Sequence, residues 1–438
     1  MSDFPRSGSS QASNRRDFLK GSTAAVVAGS LAGELALAPR VYAAGSDVLK
    51  VGLIGCGGRG TGAASQALHA DPHVQLTAMG DAFADKLESS LATLKNSDVA
   101  DKVVVSSDNK FVGIDAYRQV IDSGVDVVVL ATPPHFRPAH LKYAVEKGKH
   151  SFVEKPVAVD GPGVQSMFAT CELARQKNLA VVSGLCWRYH PGMRATFARV
   201  LDGTIGDIVA IQATYLTQTL KKFPRQPEWS DMEFQLRNWN GFTWLSGDFN
   251  VEQHVHSLDK VAWAMRDQPP VKCTGVGGRQ ARTGPESGHV YDHFSVVYEY
   301  ASGVKAFCTC RQMDGCANDV NDHIFGTKGT CHTIDNEISV GGKTTWKFKA
   351  GKGESVDMYQ AEHNELFASI RNGTPIHNGD YMTKSTLMAI MGRMSAYTGK
   401  VITWEQALNS KETLGPAKFE WGPIPTPPVA IPGVTQFV

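Results

Sequence analysis

Hydrophobic and polar positions follow two rhythms along this chain, and the change between them falls near residue 205. Before it, short uninterrupted apolar runs alternate with segments that repeat apolar residues at helical spacing. Residues 48–54 form such a run, followed by a glycine-rich turn from Gly55 to Gly60 and an alanine-rich helix to about His69. A second strand over 74–79 ends at Gly80-Asp81. A third, over 125–131, runs into Thr132-Pro133-Pro134 and a helix to about Lys147, and 151–153 leads into Glu154-Lys155-Pro156. Strands that are apolar on both faces, separated by helices, predict a parallel, doubly wound sheet.

Beyond residue 205 the segments 208–216, 271–276, 293–300 and 304–311 alternate apolar with polar positions. That pattern predicts a mostly antiparallel, open sheet with one face solvated. A helix over 358–370 stops at Asn372-Gly373, and another over 384–398 stops at Gly399. Near the middle, Val251, Val255, Leu258, Ala262 and Met265 recur at helical spacing, which predicts one helix running from Glu252 to Trp263. From Gly422 the prolines at 423, 425, 427, 428 and 432 predict an extended surface tail. There is no internal repeat.

Length and charge narrow the classes of function. A chain of 438 residues, with 42% hydrophobic and 20% charged residues, is long enough for two domains with sizeable cores. With 44 basic against 43 acidic residues the net charge is +1, which excludes nucleic acid or an anionic membrane as an electrostatic partner. The eight cysteines form no CxxC pair and sit largely within apolar runs, so they read as buried free thiols without a metal.

Residues 1–43 are set apart from the fold. Asn14-Arg15-Arg16-Asp17-Phe18-Leu19-Lys20 resembles the twin-arginine export motif. An apolar run over 21–38, interrupted by Glu34, ends in Val41-Tyr42-Ala43-Ala44, a small-residue cleavage pattern after Ala43. The expectation is passage through the twin-arginine machinery in folded form, with cofactor loaded, to the periplasm.

Gly55-x-Gly57-x-x-Gly60 closes a strand and opens a helix, the context in which this motif binds a dinucleotide. The glycines permit the tight turn, backbone approach to a pyrophosphate and close helix–strand packing, and the helix N-terminus favours anions. Asp81, 21 residues past Gly60 at the end of the second strand, can accept both ribose hydroxyls and would repel a 2′-phosphate. NAD is therefore expected over NADP. The same cleft takes in Gly58 and Arg59 from the turn, Thr132, Pro133 and His135 after the third strand, and Glu154 and Lys155. This first unit is a Rossmann domain over 47–165; the second unit spans 166–420, and 421–438 is the tail.

Taken together, 128–134 with His140, 148–156 with Glu154-Lys155-Pro156, Trp187-Arg188-Tyr189, the helix from Glu252 to Trp263 and Ile370-Arg371-Asn372-Gly373 resemble the Gfo/Idh/MocA oxidoreductases, from about Val51 to Trp404. The resemblance implies that Lys155 lies beside the nicotinamide and contacts the hydroxyl being oxidised. Proton uptake must accompany loss of hydride from a carbinol carbon, so an acid/base group is needed there. It also implies that Glu252 and His256, four apart on one helical face, meet the substrate; Glu252 stands where relatives usually carry Asp. Trp187, Arg188 and Tyr189 coincide with a segment that lines the sugar pocket of relatives, and Arg237, His254 and Asp259 are further candidate substrate contacts. Glu252, His254 and His256 do not read as a metal site, because residues two apart on a helix diverge.

The implied activity is NAD-dependent oxidation or reduction at a hydroxyl of a sugar, glycoside or cyclitol, by a homo-oligomer. Two alternatives stand beside it: a redox-neutral, NAD-dependent glycosidase resembling glycoside hydrolase family 109, and a non-catalytic NAD-binding protein. The export reading has its own check. Replacing Arg15 and Arg16 together by Lys should abolish delivery of the folded protein, as followed by cell fractionation, and unchanged export would contradict it.

Overall fold

The computed structural model describes residues 48–438, so the leader expected over 1–43 lies outside the described residues. Strand β1 (Leu49–Ile54) is buried at every position but Lys50, as a central parallel strand requires. Around it lie β2 (Val74–Asp81), β3 (Lys110–Val112), β4 (Val127–Leu130), β5 (His150–Val153) and β6 (Val181–Ser183). Their order is β3-β2-β1-β4-β5-β6 and every pairing is parallel, which is the doubly wound dinucleotide-binding arrangement. The order reverses between β1 and β4, so a crevice opens at the carboxyl ends of these two strands. Alternate residues of β1 face opposite layers: Leu49, Val51 and Leu53 pack with Ala63, Ala64 and Ala67 of the helix Gly58–Ala70, while Ile54 joins Val120, Val128 and Leu141.

The second sheet has nine strands: β7 (Ile208–Thr217), β8 (Lys272–Gly278), β9 (His293–Glu299), β10 (Lys305–Gln312), β11 (Asp319–Gly326), β12 (Gly329–His332), β13 (Glu337–Val340), β14 (Lys343–Lys347) and β15 (Ile402–Thr403). Their order is β14-β13-β12-β11-β7-β10-β9-β8-β15, antiparallel except between β7 and β10. In β10 Ala306, Cys308 and Cys310 are buried, whereas Lys305, Phe307 and Thr309 point to solvent. This is the alternation of a sheet with one face covered. The covering helix, Gly379–Thr398, is buried on almost every side because the sheet lies on one flank and helix Gly161–Gln176 on another.

Four strands, β11 to β14, carry no apolar alternation readable in the sequence. In β11 the buried position Asp322 is charged, and it pairs with Lys260 of the helix Val255–Ala264, both almost completely buried. A buried ion pair thus sits where an apolar pair would have marked the strand. All eight cysteines are free and seven are buried, Cys316 being half-buried. Among the described residues no helix is long and apolar enough to cross a membrane.

Candidate active site

A cleft of about 510 Å³ runs along the crevice between β1 and β4, from Asp81 at one end to Lys155, Glu252 and His256 at the other. Its floor is the glycine turn. Gly55 has φ +95°, and a Cβ there would lie 2.6 Å from the Thr132 amide nitrogen. A Cβ on Gly60 would lie 1.9 Å from the Gly55 carbonyl oxygen, so helix and strand can approach this closely only without side chains. On Gly57 and Gly58 an added Cβ would meet nothing, because both face the cleft. The helix Gly58–Ala70 begins there without a side-chain cap. Open backbone and uncapped N–H groups at one point fit a pyrophosphate.

Asp81 is fixed at the end of β2 by two amides: Oδ2 accepts from Cys56 N at 2.6 Å and Oδ1 from Phe83 N at 2.9 Å. Burial raises its pKa, and these two amide donors oppose the rise. Asp81 lines the cleft, and each oxygen, engaged by one amide, keeps a further lone pair for a ribose hydroxyl. Thr132, Pro133 and Glu154 also line the cleft. His135 does not: its ring packs among Phe136, Trp244 and Phe419, and burial lowers its pKa.

At the far end, Lys155 Nζ donates to the backbone carbonyl of Glu252 at 2.6 Å and to its carboxylate at 3.1 Å. The carbonyl is available because the helix expected from Glu252 to Trp263 is interrupted. The chain forms a single turn, Phe249–Glu252, breaks at Gln253-His254 and restarts as Val255–Ala264. In a continuous helix Glu252 O would accept from His256 N; here His256 N donates to Gln253 O instead. The expected proximity survives the break, since Glu252 and His256 both line the cleft. Burial and the neighbouring Lys155 cation hold the His256 imidazole well below its usual pKa, so it is neutral at physiological pH.

Arg59 lines the cleft and forms ion pairs with Glu154 and, at 2.9 Å, with Glu362. Glu362, on the helix Met358–Arg371, is fully buried, and burial and Glu154 push its pKa well up. Nothing in the sequence singled it out, because its partners lie some 200 and 300 positions away. Five of the proposed substrate contacts lie outside the cleft lining. Arg188 is engaged by Asp259 through both carboxylate oxygens (2.9–3.1 Å) and by Asp267, beneath the Tyr381 ring. Tyr189 Oη donates to Asn378 at 2.7 Å, His254 Nδ1 meets Asn250 Oδ1 at 2.9 Å, and Trp187 packs beside Lys260. Buried charges and polar groups of this kind need partners, and these residues found them in the protein.

Arg237 does line the cleft, but at the Asp81 end. Its guanidinium lies 4.0 Å from the Phe83 ring centroid and reaches both Asp85 oxygens at 3.1 Å and Glu233 at 2.9 Å. With Phe223, Leu236 and Trp239 it forms a cover across the cleft from Asp81. The proline-rich tail backs this cover: Met232 N donates to Gly422 O at 3.1 Å, and Trp421 packs on Phe83.

Residues 49–185 match the oxidoreductase family with an NAD-binding Rossmann fold, and residues 193–332 match the GFO/IDH/MocA C-terminal domain. The chain belongs to this family, and its first sheet is an NAD-binding Rossmann fold. It is similar to the 2,7-anhydro-N-acetylneuraminate hydratase of Escherichia coli, at 25% identity over 50% of this chain and 55% of the relative. It is also similar to the trans-1,2-dihydrobenzene-1,2-diol dehydrogenase of Mus musculus, at 27% identity over 48% and 55%. The chain thus spans about half the length of the curated relatives it matches. Among solved structures, a levoglucosan dehydrogenase in complex with NADH and levoglucosan shares the fold, with TM-score 0.63, 19% identity, and coverage of 82% of this chain and 99% of that one.

Two substitutions test the Asp81 end. Isothermal titration should show NAD binding more tightly than NADP, and Asp81→Ala should narrow the gap by about 10- to 100-fold, as losing hydrogen bonds to a charged group implies. Arg237→Ala should speed release of bound NADH, followed by fluorescence, because the cover loses its attachment to Asp85. Equal NAD and NADP affinities in the unmodified protein would contradict the first assignment, and an unchanged release rate the second.

Proposed function

We propose that this protein is an NAD-dependent oxidoreductase that works on a hydroxyl-bearing carbon of a sugar, glycoside or cyclitol. The observation that carries the reading is the convergence of Lys155 Nζ, the Glu252 carboxylate and His256 at one end of a cleft whose other end suits a dinucleotide. Bound in that cleft, NAD supplies the acceptor for the hydrogen that leaves the carbon with its electron pair. Lys155 passes a proton to the Glu252 carboxylate 3.1 Å away and takes up the hydroxyl proton in its place. The neutral His256 ring offers a second hydrogen-bonding partner to the same hydroxyl region and adds no positive charge beside the lysine. The low exposure of Lys155 and Glu252, 14% and 12% of their side chains, keeps water from competing for these bonds.

A dehydrogenase of a diol and a levoglucosan dehydrogenase among the similar proteins support this substrate class. The hydratase among them supports a second reading, in which oxidation and reduction follow one another on the same bound dinucleotide and the net reaction is redox-neutral. We also infer export through the twin-arginine pathway to the periplasm, from Arg15, Arg16 and the apolar run after them. Self-association through the outer face of the nine-stranded sheet is inferred from the exposure of Phe307 and Phe325 there.

Purified protein carrying its own dinucleotide, incubated with aryl glycosides and no added cofactor, separates the two readings. The oxidoreductase should show nicotinamide absorbance rising to one equivalent and then stall with the aglycone attached. Aglycone release over many turnovers would establish the redox-neutral alternative instead. Lys155→Ala should slow the single reduction by about 10²–10⁴-fold, the usual worth of a positioned acid/base group.

A further inference from the structure

Asp248 has backbone angles, φ 71° and ψ 162°, that glycine adopts readily and an L side chain does not. It is completely buried. No steric reason demands an aspartate in place of the less strained glycine, so what holds this residue is its carboxylate. Oδ1 accepts from Phe249 N at 2.5 Å; Oδ2 accepts from Tyr291 N at 2.8 Å and from Tyr397 Oη at 2.5 Å. Tyr291 lies just before β9, and Tyr397 lies at the end of the long buried helix Gly379–Thr398. The carboxylate thus ties one backbone point to two rigid elements.

That point is where the active-site turn begins. The Asp248 carbonyl accepts from Val251 N and Glu252 N, both at 2.9 Å, and these bonds define the single turn Phe249–Glu252. Four residues after Asp248, that turn ends in the carbonyl and carboxylate to which Lys155 Nζ donates. A turn this short has no helix behind it to fix its direction, since the chain breaks again at Gln253. Asn250 Nδ2 ties the middle of the turn to the Ala389 carbonyl at 2.9 Å, and Asp248 fixes its first residue.

We propose that Asp248 is a positioning residue for the Lys155–Glu252 pair: its buried carboxylate, held by Tyr291 and Tyr397, fixes the strained start of the turn and so aims both Glu252 acceptors at Lys155 Nζ. The proposal rests on the reading that this pair is the proton-handling group, and it can be tested without a substrate. A lysine whose amine is engaged by two acceptors reacts slowly with acetic anhydride, and releasing it speeds labelling. The full chain is treated with acetic anhydride under trace-labelling conditions. Acetylation of Lys155 is then read by peptide mass spectrometry against the exposed Lys305 in the same molecules.

Asp248→Gly, which relieves the backbone and removes the carboxylate, should raise the Lys155/Lys305 labelling ratio by about tenfold, the effect expected from losing a bond to a charged group. Asp248→Asn, which keeps the shape but removes one acceptor oxygen, and Tyr397→Phe, which removes one of its donors, should raise it by less. These two keep the question open to measurement if the glycine variant does not fold. Glu252→Gln reports on the pair itself and should also raise the ratio. A lower melting temperature with an unchanged ratio in the Asp248 and Tyr397 variants, beside a raised ratio in Glu252→Gln, would overturn the positioning role. An unchanged ratio in Glu252→Gln would overturn the underlying reading of the pair.

Discussion

Lys155 sits at the end of a buried strand with most of its amine shielded from water, and an ammonium group so placed must hand its N–H groups to acceptors in the protein. It finds two on a single residue, Glu252, 97 positions further along the chain. That link joins the carboxyl edge of the parallel sheet to the helical layer on the nine-stranded sheet, and the surrounding geometry serves it. The helix that would have consumed the Glu252 carbonyl breaks at Gln253. The turn carrying Glu252 is anchored by the buried carboxylate of Asp248, and His256 stays close with an uncharged ring. Removing one member of a buried ion pair leaves the other uncompensated, so the pair constrains both elements more than its net stability would suggest.

The dinucleotide end is built on an opposite economy of side chains. Gly55, Gly57, Gly58 and Gly60 clear space, and the specificity comes from one carboxylate, Asp81, held by two amides. The cover over that end is contributed by the second half of the chain, through Phe223, Leu236, Arg237 and Trp239, and is braced by the proline-rich tail. The cleft is therefore composite, with nucleotide-binding backbone on one wall and a latch from a distant segment on the other. Arg237 belongs to that latch, which explains why its charge pairs with Asp85 instead of pointing at Lys155.

Much of this was legible in the sequence where a local rule governs. The parallel strands β1, β2, β4 and β5, the glycine turn, Asp81 and the two C-terminal helices all follow from apolar runs, glycine geometry and helix stops. Lys155, Glu252 and His256 were identified from motif context, and the structure brings them to one end of one cleft. What was hidden depended on long-range pairing. The strand β11 escaped because Asp322 and Lys260 put a buried ion pair where apolar alternation was sought. Arg188, Tyr189, His254 and Asp259 looked like substrate contacts, but each is engaged by protein groups that no spacing rule reveals. Glu362 and the break at Gln253 were equally silent, since the first is paired across the fold and the second interrupts an otherwise regular apolar stripe.

The central claim is that the Lys155 end of the cleft activates a carbinol beside a bound nicotinamide. It is tested most directly by isotope transfer. Protein loaded with NAD is incubated with D-glucose, myo-inositol and methyl glucosides deuterated at their carbinol carbons, and the bound dinucleotide is then released and weighed by mass spectrometry. The account predicts that at least one of these compounds places a single deuterium at C4 of the nicotinamide ring, and that Lys155→Met, with NAD still bound, prevents it. A dinucleotide that stays unlabelled with every compound, or labelling that persists in Lys155→Met, would contradict it.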